Sequence, residues 1–331
     1  MKKILNELFE HRSLSKEQAY QVLLDLSKGA FNEHELSAFM TVFLMRTITI
    51  EELKGFREAL LELALPVDFE ERKVIDIVGT GGDGKNTFNI STLSCFIVAG
   101  AGHQVAKHGS YGASSISGAS NLMDAIGYRF KNNPDELKKE LDETNMCFLH
   151  APVFHPALKT VGPIRKNLGI RTFFNMLGPM VNPSKPAFQL VGVYNLEMAR
   201  IYNYLLQTSG QNYALVHSMD GYDEISLTSD VKVITAAGER VFTPEYLGGI
   251  SVTQEEIHGG DSVEEAAKMF MDILKGEGTI AQQSVVSSNA AMAMLLTGAY
   301  DSYQDAFEAA KESLNSGKAH EVLQKLIALQ N

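Results

Sequence analysis

Polar and apolar residues in the first 65 positions recur at helical spacing, and three polar pairs mark where helices begin. Ser15 with Gln18, Asn32 with Glu35, and Thr49 with Glu52 each match an N-cap and its partner three residues on. The pattern predicts helices over 16–27, 33–47 and 50–63, with Pro66 ending the last. From Val74 onward the period changes. Short β-branched runs at 74–78, 104–106, 146–149, 189–193, 213–218 and 231–235 alternate with helical stretches. That alternation predicts an α/β fold with a mostly parallel sheet flanked by helices. A small all-helical domain (1–70) would precede the larger α/β domain (71–331).

The run Val74 to Val78 feeds directly into Gly79-Thr-Gly-Gly-Asp-Gly-Lys-Asn-Thr-Phe-Asn-Ile-Ser-Thr92, and an apolar helical pattern follows from Leu93 to Ala101. Strand, glycine loop and helix start are the parts of a phosphate site, because backbone N–H groups and the positive helix end face the anion. Ser91 and Thr92 add hydroxyl donors. The loop satisfies two familiar patterns and belongs to neither. Gly79, Gly81 and Gly84 match G-x-G-x-x-G, but a dinucleotide site needs an acid about 20 residues on, and none occurs from Gly84 to Met123. Gly79 to Lys85 match G-x-x-x-x-G-K, but Asn86 stands where a triphosphate loop needs Ser or Thr for magnesium.

The missing acids bear on charge. The chain has 40 Asp and Glu among 331 residues, so a 40-residue window should hold roughly five. The window from Gly84 to Met123 has none, yet it carries Lys85, His103, Lys107 and His108. In a chain of net charge -11, such a gap suits an anion site, although apolar helices and glycine loops also leave little room for acids. Within it lies a second glycine-rich stretch, with Lys107 and His108 expected just past a short strand and Ser110, Ser114, Ser115 and Ser117 behind them.

Composition narrows the classes. At 45% hydrophobic residues the chain can bury a full core. No stretch approaches a membrane span, and the start lacks a signal peptide's apolar run. The acidic balance argues against non-specific nucleic-acid binding. Cys95 and Cys147 lie in apolar segments without ligand spacing, which predicts free thiols in a reducing cytoplasm.

Over nearly its whole length the chain resembles the anthranilate phosphoribosyltransferases of tryptophan biosynthesis. The markers are Gly79-Thr-Gly-Gly-Asp83 with Asn89-Ile-Ser-Thr92, Lys107-His-Gly109, Arg165-Lys-Asn-Leu-Gly-Ile-Arg171, Phe174-Asn-Met-Leu-Gly-Pro179 with Asn182-Pro183, and Asp223-Glu-Ile-Ser226. Their order and spacing are specific where each alone is weak. The resemblance implies transfer of the phosphoribosyl group of phosphoribosyl pyrophosphate (PRPP) to the amine of anthranilate. It implies PRPP contacts at Gly79, Gly81, Gly82, Asp83, Thr87, Asn89, Ile90, Ser91, Thr92, Lys107, Gly109, Ser114, Ser115 and Ala119. Magnesium falls to Ser91, Asp223 and Glu224. Anthranilate falls to Gly79, His108, Ser110, Arg165, Gly178 and Pro179. It also implies that the chain returns to the helical domain at about 162–186, leaving a cleft.

The chain departs from that pattern in three places. Ser110-Tyr111 replaces the usual Asn-Arg, Ala119 replaces Ser or Gly, and Val216-His-Ser218 replaces Val-His-Gly. Several residues carry two readings. Asp223-Glu224 suits a hard cation, or an ordinary solvated turn. Arg165 suits a carboxylate, or a basic surface face with Lys166 and Arg171. His108 is the candidate to accept the amine's proton, or a structural loop histidine; no general base is assigned. His155 is expected to be structural. Ile4, Leu5, Leu8 and Phe9 suit a homodimer interface or plain core packing. The competing functions are a pyrimidine nucleoside phosphorylase and a non-enzymatic relative that binds nucleic acid or a regulatory ligand. The acidic pair counts against both.

Overall fold

The computed structural model describes residues 1–112, 116–170 and 172–330. Two compact units emerge. One comprises Met1–Val67 with Ala151–Pro183, the other Asp68–His150 with Ser184–Asn331. The return to the helical unit thus begins at Ala151, earlier than the expected 162 or so.

The helical unit starts with α1 (Lys2–Phe9), α2 (Lys16–Ser27), α3 (Glu33–Met45) and α4 (Ile50–Leu63). All three expected capping boxes form, at Ser15–Gln18, Asn32–Glu35 and Thr49–Glu52. Glu52 does more than cap. Fully buried, it accepts the amides of Leu14 and Thr49 at 2.9 Å each and the Arg46 guanidinium at 2.9 Å. Burial pushes its carboxyl up, but Arg46 and the amides outweigh that and hold it below the usual range. An aromatic cluster fills this core: Phe56 stacks on Phe173 at 4.7 Å, with Phe39 edge-on to both. The return segment is tied in by Leu65 N–H to Phe154 O (2.9 Å) and Arg57 Nε to Met180 O (3.1 Å).

The second unit holds a seven-stranded sheet in the order β3-β2-β1-β4-β5-β6-β7. Its strands are β1 (Ile75–Gly79), β2 (Val105–Gly109), β3 (Met146–His150), β4 (Phe188–Gly192), β5 (Asn212–Ser218), β6 (Val231–Thr235) and β7 (Gly238–Phe242). β1 to β5 are mutually parallel, and β6 and β7 add antiparallel at one edge. β7 escaped the sequence reading because it is an exposed edge strand, Gly-Glu-Arg-Val-Phe, with no apolar face to produce alternation. Helix α5 (Ile90–Gly100) buries nine of its eleven residues. It lies against β1 and β2 and is covered by the helices Ile280–Leu295 and Tyr303–Asn315.

The strand order sets where a ligand can go. From β1 the chain moves to β2 and β3, then jumps back past β1 to start β4 on its other side. Their ends match in register, Gly79 opposite Gly192. A crevice opens beyond the carboxyl ends of strands at such a reversal.

Candidate functional site

Asp223 occupies that reversal point. A Cβ on Gly79 would lie 2.4 Å from Asp223 Oδ2, and one on Gly192 would lie 1.5 Å from the Asp223 carbonyl oxygen. Both strands end in glycine because a side chain at either end would fill the space Asp223 takes. The glycine loop then folds over the carboxylate. Gly81 N–H donates to Asp223 Oδ2 at 2.6 Å, and Thr80 N–H donates to Gly192 O at 2.9 Å. Asp83 hydrogen-bonds Asp223 and accepts Lys85 N–H at 3.0 Å. Glu224 Oε1 accepts Ser91 N–H at 3.0 Å in the first turn of α5, where the helix dipole favours negative charge. Behind the pair, Asn289 clamps Ile225 by two hydrogen bonds of 3.0 and 2.8 Å.

Three carboxylates in one place repel one another. Burial, then the charge of Asp83, pushes Asp223 up to about 7. Burial and then Asp223 push Glu224 well above its ordinary value, against the Ser91 amide and Lys107. Burial raises Asp83 as well. Such a group is relieved by a shared proton or by a cation. Carboxylate and hydroxyl oxygens of this kind suit a hard ion that keeps waters and takes further oxygens from its substrate.

Several expected residues come together here. Asn89 Nδ2 donates to Ser117 O at 2.9 Å, joining the two glycine-rich stretches. Ile90 and Thr92 are buried in α5, at 0% and 1% exposure. Ser114 and Ser115 lie outside the described residues, as does Arg171. Gly109 ends β2 with Ala119 close by, at 3.2 Å from where its Cβ would be. Ser110 is exposed, and its carbonyl accepts Ser120 N–H at 3.1 Å.

Lys107 and His108 need a correction. They do not follow a strand ending at 106; β2 runs through them to Gly109. Lys107 is 1% exposed, and its ammonium donates to Ile77 O at 2.7 Å and Ser91 Oγ at 3.4 Å. It lies beneath the loop, facing Glu224 electrostatically, instead of reaching out from a strand end. His108 is buried too, with its amide bound to Asp76 Oδ1 at 3.2 Å.

The sequence reading missed a strap across the loop. Thr87 pairs with His258 in an isolated bridge. Phe88 N–H donates to Ile257 O at 3.3 Å, Gly259 N–H to Asn86 O at 2.8 Å, and Asn86 Nδ2 to Gly260 O at 2.8 Å. The Gly259-Gly260 pair was the available signal. Gly192 was missed as well, its cue being a glycine at the end of an apolar run.

Arg165, Gly178 and Pro179 belong to the helical unit. Arg165 donates to Asn175 Oδ1 at 3.2 Å, and its guanidinium lies 5.7 Å from the Phe174 ring centre. Burial lowers its pKa, and among the described residues no carboxylate offsets this. Gly178 and Pro179 open the turn Gly178–Met180. His155 binds Val181 O at 2.9 Å and is pushed down to about 4 by burial first, which fits a structural histidine.

Known proteins share this architecture. Residues 71–320 match the model of a glycosyl transferase family a/b domain, and residues 2–64 match its helical bundle domain. The anthranilate phosphoribosyltransferase of Flavobacterium johnsoniae is 57% identical over 326 residues, 98% of each chain. The crystal structure of the Thermus thermophilus anthranilate phosphoribosyltransferase superposes with a TM-score of 0.90, at 32% identity over 98% of both chains. The Saccharomyces cerevisiae enzyme in complex with PRPP and Mg gives 0.89 at 27% identity, covering 98% of this chain and 96% of that one.

Proposed function

The chain belongs to the anthranilate phosphoribosyltransferase family, and from that membership we propose how its own residues carry the reaction. The enzyme transfers the phosphoribosyl group of PRPP to the amine of anthranilate, giving N-(5-phosphoribosyl)anthranilate and pyrophosphate, a step of tryptophan biosynthesis. The family decides against the phosphorylase and the non-enzymatic alternative.

PRPP lies along the glycine loop, against Gly79, Gly81, Gly82, Asp83 and Thr87, and at the start of α5 from Asn89 to Thr92. The second loop adds Gly109, Ser114, Ser115 and Ala119. The observation that carries this reading is Asp223: held at 2.6 Å by the Gly81 amide and pushed up to about 7 by burial and Asp83, it is a buried acid with no positive partner among the described residues. Magnesium held by Asp223, Glu224 and Ser91 would supply that charge and stabilise the departing pyrophosphate. The loop amides and the N-terminus of α5 are fixed donors for phosphate oxygens, preorganised by the strap and by Asn89. Lys107 acts from below, offsetting Glu224 and orienting Ser91.

For the acceptor, Arg165 is the cation for the anthranilate carboxylate, supported by its partial burial with no acid partner among the described residues. Of the other residues that the resemblance implies for the acceptor, Gly79, His108 and Ser110 belong to the α/β unit and Gly178 and Pro179 to the helical unit. Positioning the amine at C1 matters more than a strong base. No helix among the described residues is long and apolar enough to cross a membrane. Two free buried cysteines, Cys95 and Cys147, support a cytoplasmic enzyme. Exposed Phe9, Leu44 and Met45 on the helical unit support a homodimer.

The test follows anthranilate fluorescence with PRPP, with and without magnesium. Consumption only when both are present supports the transfer. Absence of consumption, with PRPP still bound, would require another acceptor.

A further inference from the structure

Resting on the transferase reading, we propose that Lys85 is a side-chain cation that grips the pyrophosphate end of the donor. The acid-free window contains two lysines. Lys107 is sealed at 1% exposure, with its ammonium spent on Ile77 O and Ser91 Oγ. Lys85 is partly exposed and follows Gly84 in the glycine loop, its amide fixed by Asp83 Oδ1 at 3.0 Å. Its ammonium lies 4.6 Å from the centre of the Tyr222 ring. Tyr222 immediately precedes the acidic pair and is 1% exposed, so the ring is a fixed platform.

The charge balance requires such a group. Pyrophosphate carries more negative charge than one divalent ion offsets, and Asp83, Asp223 and Glu224 already crowd the place. The loop amides and helix end supply only partial charges. Lys85 supplies a whole one, parked on an aromatic face that holds a cation loosely and releases it to phosphate oxygens. No salt bridge among the described residues ties it down, whereas Lys131 and Lys232 are each paired to a glutamate. Lys85 is thus poised beside Asp83 and the metal segment, on a flexible stem able to follow the donor in and the leaving group out.

The experiment titrates magnesium pyrophosphate into the full-length wild type and into Lys85→Met and Lys85→Arg, with KM for each substrate measured alongside. In Lys85→Met the pyrophosphate Kd and the PRPP KM should both rise about tenfold, equivalent to 1.4 kcal/mol. The anthranilate KM and the melting temperature should stay put, and Lys85→Arg should recover most of the loss. Tyr222→Phe, which keeps the ring and removes a hydroxyl with no partner among the described residues, should bind pyrophosphate as wild type does. Unchanged pyrophosphate affinity in Lys85→Met, with manganese alone bound more tightly, would overturn the proposal, because Lys85 would then only neutralise Asp83. A wild type that binds no magnesium pyrophosphate at all would bring down the donor-site reading itself.

Discussion

Replacing Asp223 by asparagine should kill the enzyme and stabilise it. The carboxyl is pushed from an ordinary 3.8 up to about 7, first by burial and then by Asp83. Keeping it ionised at pH 8 therefore costs the folded state on the order of 4 kcal/mol as a ceiling. Asparagine keeps an oxygen for the Gly81 amide and removes the charge. Because Asp83 and Glu224 share the repulsion, about half that ceiling should be recovered, roughly 2 kcal/mol, or about 4–8 °C in melting temperature for a unit of this size. The sign depends on pH. The folded state holds this proton to about pH 7, whereas the unfolded chain releases it near 3.8. The wild type thus loses stability as pH rises across that interval, and the advantage of the variant should be full above pH 7 and vanish near pH 4. Calorimetry in EDTA at pH 4, 6 and 8 measures this directly. Adding magnesium should then raise the wild-type melting temperature and leave the variant unmoved. A variant less stable than wild type at pH 8, or a gain independent of pH, would refute the electrostatic reasoning.

Other expectations are cheaper to check. Gly192→Ala would drive a Cβ to within 1.5 Å of the Asp223 carbonyl oxygen; the backbone must move, so a loss above about 3 kcal/mol or outright misfolding should show in denaturant melts. Asn86→Ala removes the strap's side-chain bond to Gly260 O (2.8 Å) and should raise the PRPP KM several-fold while sparing anthranilate, as initial-rate kinetics would reveal. Ser110→Asn should leave the anthranilate KM unchanged or lower it, because Ser110 is exposed and a longer amide fits there; a large rise would mean the loop is built differently. Glu52→Ala strands the Arg46 cation and two amides and should cost about 3–5 kcal/mol. Since the native Glu52 carboxyl is held low, its stabilisation is present above the unfolded value and is lost as pH falls, so acid melts of wild type and variant should converge.

Helix starts were legible because capping is local: Ser15, Asn32 and Thr49 signal their helices within four residues. The parallel strands were legible because burial on both faces makes continuous apolar runs, as in β3 and β4, buried throughout. β7 lacks that burial and left no trace. The site was legible only in part. The glycine loop and the acidic pair each stand out, but their meeting joins residues 142 positions apart, Gly81 and Asp223, which local pattern cannot express. Lys107 shows the converse error. It was expected just past a short strand, and only the register of β2 reveals that its ammonium turns inward to Ile77. The strap at Ile257–Gly260 and Gly192 each left only glycine as a cue, because their significance lies in what passes close to them.

The central claim is that Asp223 and Glu224, at the reversal between β1 and β4, hold the ion that makes PRPP reactive. The measurement that tests it most directly is calorimetric titration of PRPP, with magnesium, into wild type and the double variant Asp223→Asn, Glu224→Gln, paired with turnover on the same samples. The account predicts a folded double variant that has lost the magnesium-dependent part of PRPP affinity and all measurable turnover. Wild-type turnover in that variant at limiting magnesium would contradict it.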